Sequence, residues 1–189
     1  MDSSLRLTAE GVAAHAAHPS TGINAISGLM KAVSELPLQN ELSRIAAFYM
    51  KYIGFDLTGK GLGIDLSDEI SGKLSFNVGK VEVQDYKVIF SIDNRVPVTY
   101  RCMQVQELIQ KHLSGSGFRF ENPNATESIH IPKDSFLVQA LLESYRTVVG
   151  DSSAMPLVDG ACSYARALDN CVAFGALFTG SAGSDAPDQ

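Results

Sequence analysis

The sequence predicts an α+β fold, and three observations carry that prediction. Apolar residues alternate with period two in some short stretches and recur at helical spacing in others. The two patterns follow one another in the order strand, helix, strand, strand, helix, strand. At 189 residues, with 45% hydrophobic and 19% charged side chains, the chain is long and apolar enough to bury a core.

"LRLTAEGV" (5–12) alternates Leu5, Leu7 and Ala9 and reads as the first strand. Ser20 and Thr21 are expected to cap a helix in which Ile23, Ile26, Met30, Val33 and Leu36 recur until Pro37 breaks the run. A second helical stretch covers 39–53. "GKGLGIDLSDEISG" is glycine-rich and reads as a flexible loop. In "KLSFNVGKVEV", Leu74, Phe76 and Val78 share a face and Gly79 marks a bulge. "YKVIFSIDNRVPV" alternates Val88, Phe90 and Ile92 across a short "QD" turn, so the two segments pair as a hairpin. Thr99 opens "YRCMQVQELIQKHL", whose Val105, Leu108, Ile109 and Leu113 form an amphipathic stripe, and Gly115 and Gly117 lead into a last strand, "FRFEN".

That order is the ferredoxin-like β-α-β-β-α-β arrangement, a four-stranded antiparallel sheet with helices on one face. Residues 1–124 are expected to form this domain. In 125–189, Pro123 and Pro132 bracket a polar connector, "DSFLVQALLESYRTVVG" reads as one helix, and "CVAFGALF" as a short buried strand. So short a remainder has little material for its own core and is expected to be an incomplete α/β portion of another domain.

Charge and composition exclude several function classes. Fifteen basic against 21 acidic side chains give a net charge of −6, the wrong sign for a phosphate-binding surface, so no nucleic-acid partner is expected. No apolar run approaches a membrane span, and "MDSSLRLT" has neither signal nor transit character. Cys102, Cys162 and Cys171 lie far apart without CxxC spacing, which fits a reducing cytoplasm.

Few residues carry candidate chemistry. His15 and His18 stand three apart, but Pro19 disfavours a helix there and no third ligand completes a metal site. Asp65, Asp68 and Glu69 read as capping or solvated loop charges. "GKGLG" lacks the GK[ST] of a phosphate loop, and "GSAGS" lacks the strand–turn–helix context of a nucleophile elbow. Arg95, at the end of a strand, either clamps a substrate carboxylate or pairs with Asp93.

At these residues the chain resembles a known family. "LTAEGVAAHAAHPSTGINAI" is similar to the GxxAHAxxPxxGxNAI segment of the lid, or dimerisation, domain of aminoacylase/carboxypeptidase G-type zinc peptidases. "GLGIDLSDEISGKLSFNVGKVEV", "IDNRVPV", "IPKDSFLVQALLESYRTVVG" and "CSYARALDNCVAFGALFTG" resemble, in the same order, stretches of the bacterial dipeptidases of that clan.

The resemblance implies a lid over a two-zinc site that hydrolyses dipeptides, with a Glu as base. It implies that His15 steadies the oxyanion, that Arg95 holds the substrate's C-terminal carboxylate, and that Asn77 and Arg166 help bind substrate. His18 has no implied role. The family carries more glycine where this chain has Ala161 and Cys162. Its HxD motif, bridging Asp and GluGlu pair belong to an N-terminal half with no counterpart here, and no histidine follows "LFTG". The chain is therefore expected to be an inactive fragment of a cytoplasmic zinc dipeptidase that binds no zinc itself and lacks its catalytic half, with homodimerisation possible through the lid. The alternative is a non-catalytic ferredoxin-like association module.

Overall fold

A computed structural model describes residues 6–122, 124–158, 160 and 163–175. Four helices lie in that range: α1 (Ala25–Glu35), α2 (Glu41–Tyr52), α3 (Cys102–Leu113) and α4 (Phe136–Val149). The strands are β1 (Ser67–Asp68), β2 (Gly72–Lys73), β3 (Ser75–Gln84) and β4 (Lys87–Arg95). They pair antiparallel as β1 with β2 and β3 with β4, which makes the chain α+β.

The long hairpin follows the predicted pattern. Its turn is Asp85–Tyr86, one residue later than "QD", and both residues have positive φ (49° and 60°), as a two-residue type I′ turn requires. The register shifts between Val78 and Lys80, so Gly79 is the expected bulge.

The single four-stranded sheet is not formed among the described residues. Within 6–12, only Val12 joins a bridge, and its partner is the nearby Ile23 rather than a strand of the hairpin. Residues 118–122 form no ladder: Phe118 stacks on Phe48 with ring centroids 3.5 Å apart, and its N–H donates to Ser116 Oγ at 3.1 Å. Val12 thus spends its backbone on a nearby residue, and Phe118 its ring on α2. Leu5 and residues 176–178 of the last predicted strand lie outside the described residues, and 171–175 are not in a strand.

Helix starts also differ from expectation. Ser20 and Thr21 sit in a 3₁₀ turn (Pro19–Thr21), and α1 is capped by Asn24, whose side chain accepts from the N–H groups of Ile26 and Ser27. α2 is closed by a reciprocal Asn40–Ser43 capping box. Thr99 does not open α3; it donates through its N–H and hydroxyl to Asp68. "GKGLG" is packed rather than loose: its 3₁₀ turn (Lys60–Leu62) buries Leu62, and Gly63, with φ 74°, lies where a Cβ would meet the His112 ring.

The core lies between one face of β3 and helices α1 to α3. Leu74, Phe76 and Val78 meet Met30, Val33, Tyr49, Ile109 and Leu113 there. Tyr49 is fully buried, and its phenol shares a 2.9 Å hydrogen bond with the buried Ser27 hydroxyl. Burial pushes the phenol above its ordinary value of 10.0, against the opposing bond from Ser27. Because the folded value is raised, this group's contribution to stability is whole below pH 10.0 and is lost as pH rises through the folded value. Tyr49→Phe is expected to cost about 1–2 kcal/mol at neutral pH by stranding Ser27, and to flatten the alkaline fall in stability, as read by urea denaturation across that range.

Asp68 ties the β1–β2 turn to the approach to α3. Its carboxylate accepts from Ile70 N, from Ser71 N and Oγ, and from Thr99 N and Oγ1. Desolvation works to raise this carboxyl, but the Ser71 and Thr99 donors outweigh it and hold it well below the ordinary 3.8. The stability it contributes is present above pH 3.8 and is lost as pH falls through the lower folded value. Asp68→Ala is expected to cost about 1–2 kcal/mol at neutral pH and progressively less in strong acid, checked by denaturation at both.

α4, capped by Ser135, buries none of its residues, and Phe136 is 90% exposed. Among the described residues no helix is long and apolar enough to cross a membrane.

Candidate functional site

The site begins with the loop 11–24. Its two legs are drawn together by the Val12–Ile23 bridge, with reciprocal N–H to O distances of 3.0 and 2.9 Å. A Cβ on Gly11 would lie 2.4 Å from the Ile23 oxygen, and one on Gly22 would lie 2.5 Å from the Val12 oxygen. The glycines are therefore required for a close backbone approach.

Beyond this neck, the His18 N–H donates to the His15 carbonyl at 2.9 Å, and the Thr21 N–H and hydroxyl both donate to the His18 carbonyl. His15 is half-buried and His18 exposed. Their ring centroids are 6.1 Å apart. His15 Nδ1 accepts from the Ala17 amide at 3.2 Å.

The hairpin supplies the second part. Asn77 stands opposite Asp93 and Ser75 opposite Arg95, so these four share the sheet face turned away from Phe76 and Val78. Arg95 meets Asp93 twice, Nε to Oδ1 at 2.8 Å and Nη2 to Oδ2 at 3.0 Å. The Asp93 pair, one of the two alternatives read for Arg95, is thus formed, with the Arg95 side chain 27% exposed.

Asn24 links loop to hairpin. While its Oδ1 caps α1, its Nδ2 donates to Asn77 Oδ1 at 2.8 Å and to the Val78 carbonyl at 2.9 Å. This residue was missed as a site residue. The available signal was an Asn directly before a helical run, where one side chain can cap and still offer two donors.

The loop and Arg95 also come together through Gly160, where a Cβ would lie 3.4 Å from Ala17 Cβ and 3.2 Å from Arg95 Cγ. Arg95 and Arg166 line one broad cleft of about 2490 Å³, along with Ala17 and His18; His15 and Asn77 are not on its wall. Arg166 donates to the Glu127 carbonyl at 2.6 Å. The Glu127 carboxylate accepts in turn from the Cys102 N–H. Burial and Glu127 push the Cys102 thiol up, opposite to an activated nucleophile. Ala161, Cys162 and "GSAGS" lie outside the described residues.

Among the described residues no group of three or more His, Cys, Asp or Glu could hold a metal ion. The chemistry these residues themselves offer is donation: an imidazole on the 11–24 loop, and an amide and a guanidinium on one face of the hairpin.

Residues 3–115 match the family described as Peptidase dimerisation domain. The chain belongs to this family. This peptidase dimerisation domain is also 29% identical over 178 residues, 94% of its length, to "Putative dipeptidase SAUSA300_1697" of Staphylococcus aureus strain USA300. The same identity and coverage hold for the similarly named proteins of strains NCTC 8325 / PS 47 and N315. The peptidase dimerisation domain chain spans 38% of the length of these relatives.

Proposed function

We propose that this chain is the lid of a zinc-dependent dipeptidase (1–124), followed by part of the C-terminal portion of its catalytic domain (125–189). The observation that carries this reading is the joining of the His15 loop to the Asn77–Arg95 hairpin face by Asn24. One imidazole donor and one guanidinium on neighbouring elements suit a tetrahedral oxyanion and a terminal carboxylate. His15 steadies the first, Arg95 binds the second, Asn77 adds an amide, and Arg166 contacts substrate from the cleft. The unburied face of α4 supports a missing partner domain, and that half would hold the zinc ions. The free thiols Cys102 and Cys171 are in keeping with a cytoplasmic location.

Two measurements test the reading. The isolated chain should not hydrolyse dipeptides; metal-dependent hydrolysis abolished by His15→Ala would overturn the fragment reading. In the full-length parent, Arg95→Ala should raise KM for dipeptides about 10–100-fold while leaving C-terminally amidated peptides nearly unchanged. Equal losses on both substrates would remove Arg95 from carboxylate binding.

A second reading, a non-catalytic association module, is favoured by the family's description and by a hairpin that has no further ladder partner among the described residues. Light scattering together with a dipeptide turnover assay of the full-length protein separates the two, because the module requires a homodimer without turnover and the enzyme requires turnover.

A further inference from the structure

We infer that the backbone N–H of Ala17 sets the tautomer of His15, so that the neutral imidazole carries its proton on Nε2. The Ala17 amide donates to His15 Nδ1 at 3.2 Å. A backbone amide can only donate, and a neutral imidazole has one donor and one acceptor nitrogen. The nitrogen that accepts from Ala17 is the bare one, and the proton is on Nε2.

The local backbone makes this contact a built feature. The His18 N–H to His15 carbonyl bond closes a turn over residues 15–18, with Ala17 as its third residue. An Asp or Asn at the first position of such a turn accepts from the amide two residues on; here an imidazole nitrogen takes that place. The turn is carried on the glycine neck at Gly11 and Gly22, and the loop ends at the Asn24 clamp. Ala17 is thus a positioning residue that acts through its main chain.

The functional meaning rests on the donor role proposed for His15. A preset Nε2–H faces a developing anion as a donor, whereas the other tautomer would present a lone pair. Zinc ligation through Nε2 would need that other tautomer as well.

The test is long-range ¹H–¹⁵N correlation of the imidazole rings in the ¹⁵N-labelled chain at about pH 8.5, where an ordinary histidine is neutral. His15 peaks are assigned by their loss in His15→Gln, and exposed His18 is the internal reference. His15 should show a protonated-type Nε2 and a bare-type Nδ1, with less averaging than His18. Ala17→Pro, which has no N–H, should move the His15 pair toward the His18 pattern, and Ala17→Gly should leave it in place. Replacing the 16–17 peptide bond by an ester removes the same N–H without the proline ring, and serves if Ala17→Pro does not fold. A His15 pair that matches His18 from the start, or that ignores loss of the N–H in a folded chain, overturns the inference. Since no turnover is read, failure here is distinct from failure of the donor role in kinetics.

Discussion

On the proposed donor role, His15→Ala is expected to lower kcat of the proposed full-length parent about 10²–10³-fold with KM nearly unchanged, the cost of removing one oxyanion donor. The split follows from when the donor works. A group aimed at charge that exists only in the tetrahedral state contributes little to ground-state binding. The side chain is half-buried at the first position of a turn closed by the main-chain His18 N–H to His15 carbonyl bond, so its loss removes the Ala17 contact and keeps the bond that closes the turn. His15→Gln, which keeps an N–H donor, should recover part of the rate. His18→Ala should be near neutral, because His18 is exposed and contributes its backbone groups to the turn. Steady-state kinetics of the three variants decide the point. Equal losses at positions 15 and 18, or an effect confined to KM, would reassign His15 to binding or to loop structure.

Phe76→Ala is expected to destabilise the fold by about 3–5 kcal/mol, a large share of the total for a domain of this size. Phe76 is 1% exposed on the core face of β3, between Leu74 and Val78, and its N–H donates to the Leu57 carbonyl at 2.9 Å. Truncation would leave a cavity bounded by helices and strand, which cannot collapse without moving the hairpin. Asn77, the next residue, faces the other side, so loosening at Phe76 should also loosen the Asn24–Asn77 link. Phe136→Ala on α4, a surface change at 90% exposure, should fall within about 0.5 kcal/mol. Urea denaturation with an unchanged slope measures both. A comparable loss at Phe136 would mean that α4 packs into the same cooperative unit.

The elements with strong local signals were legible. The hairpin, the Gly79 bulge, the α3 stripe and the single helix after Pro132 each follow from periodicity and turn chemistry within a few residues. Of the site, the Arg95–Asp93 pair was legible as one of the two readings of Arg95, and the roles of His15, Asn77 and Arg95 are those the resemblance implies. Less legible was what joins them. Asn24 caps a helix and grips a strand more than 50 residues away, and only the second bond makes it part of the site. Arg166, grouped with the others by resemblance, donates to the Glu127 carbonyl.

The amino-acid sequence by itself determined the α+β class and the hairpin, because alternation, helical spacing and caps act over a few neighbouring residues. Tertiary structure alone decided where the outer segments went. Residues near 12 and 118 have strand-like patterns, yet Val12 pairs with Ile23 and Phe118 stacks on Phe48. A period-two pattern says which face of a segment is apolar; it does not say which partner offers the lower free energy.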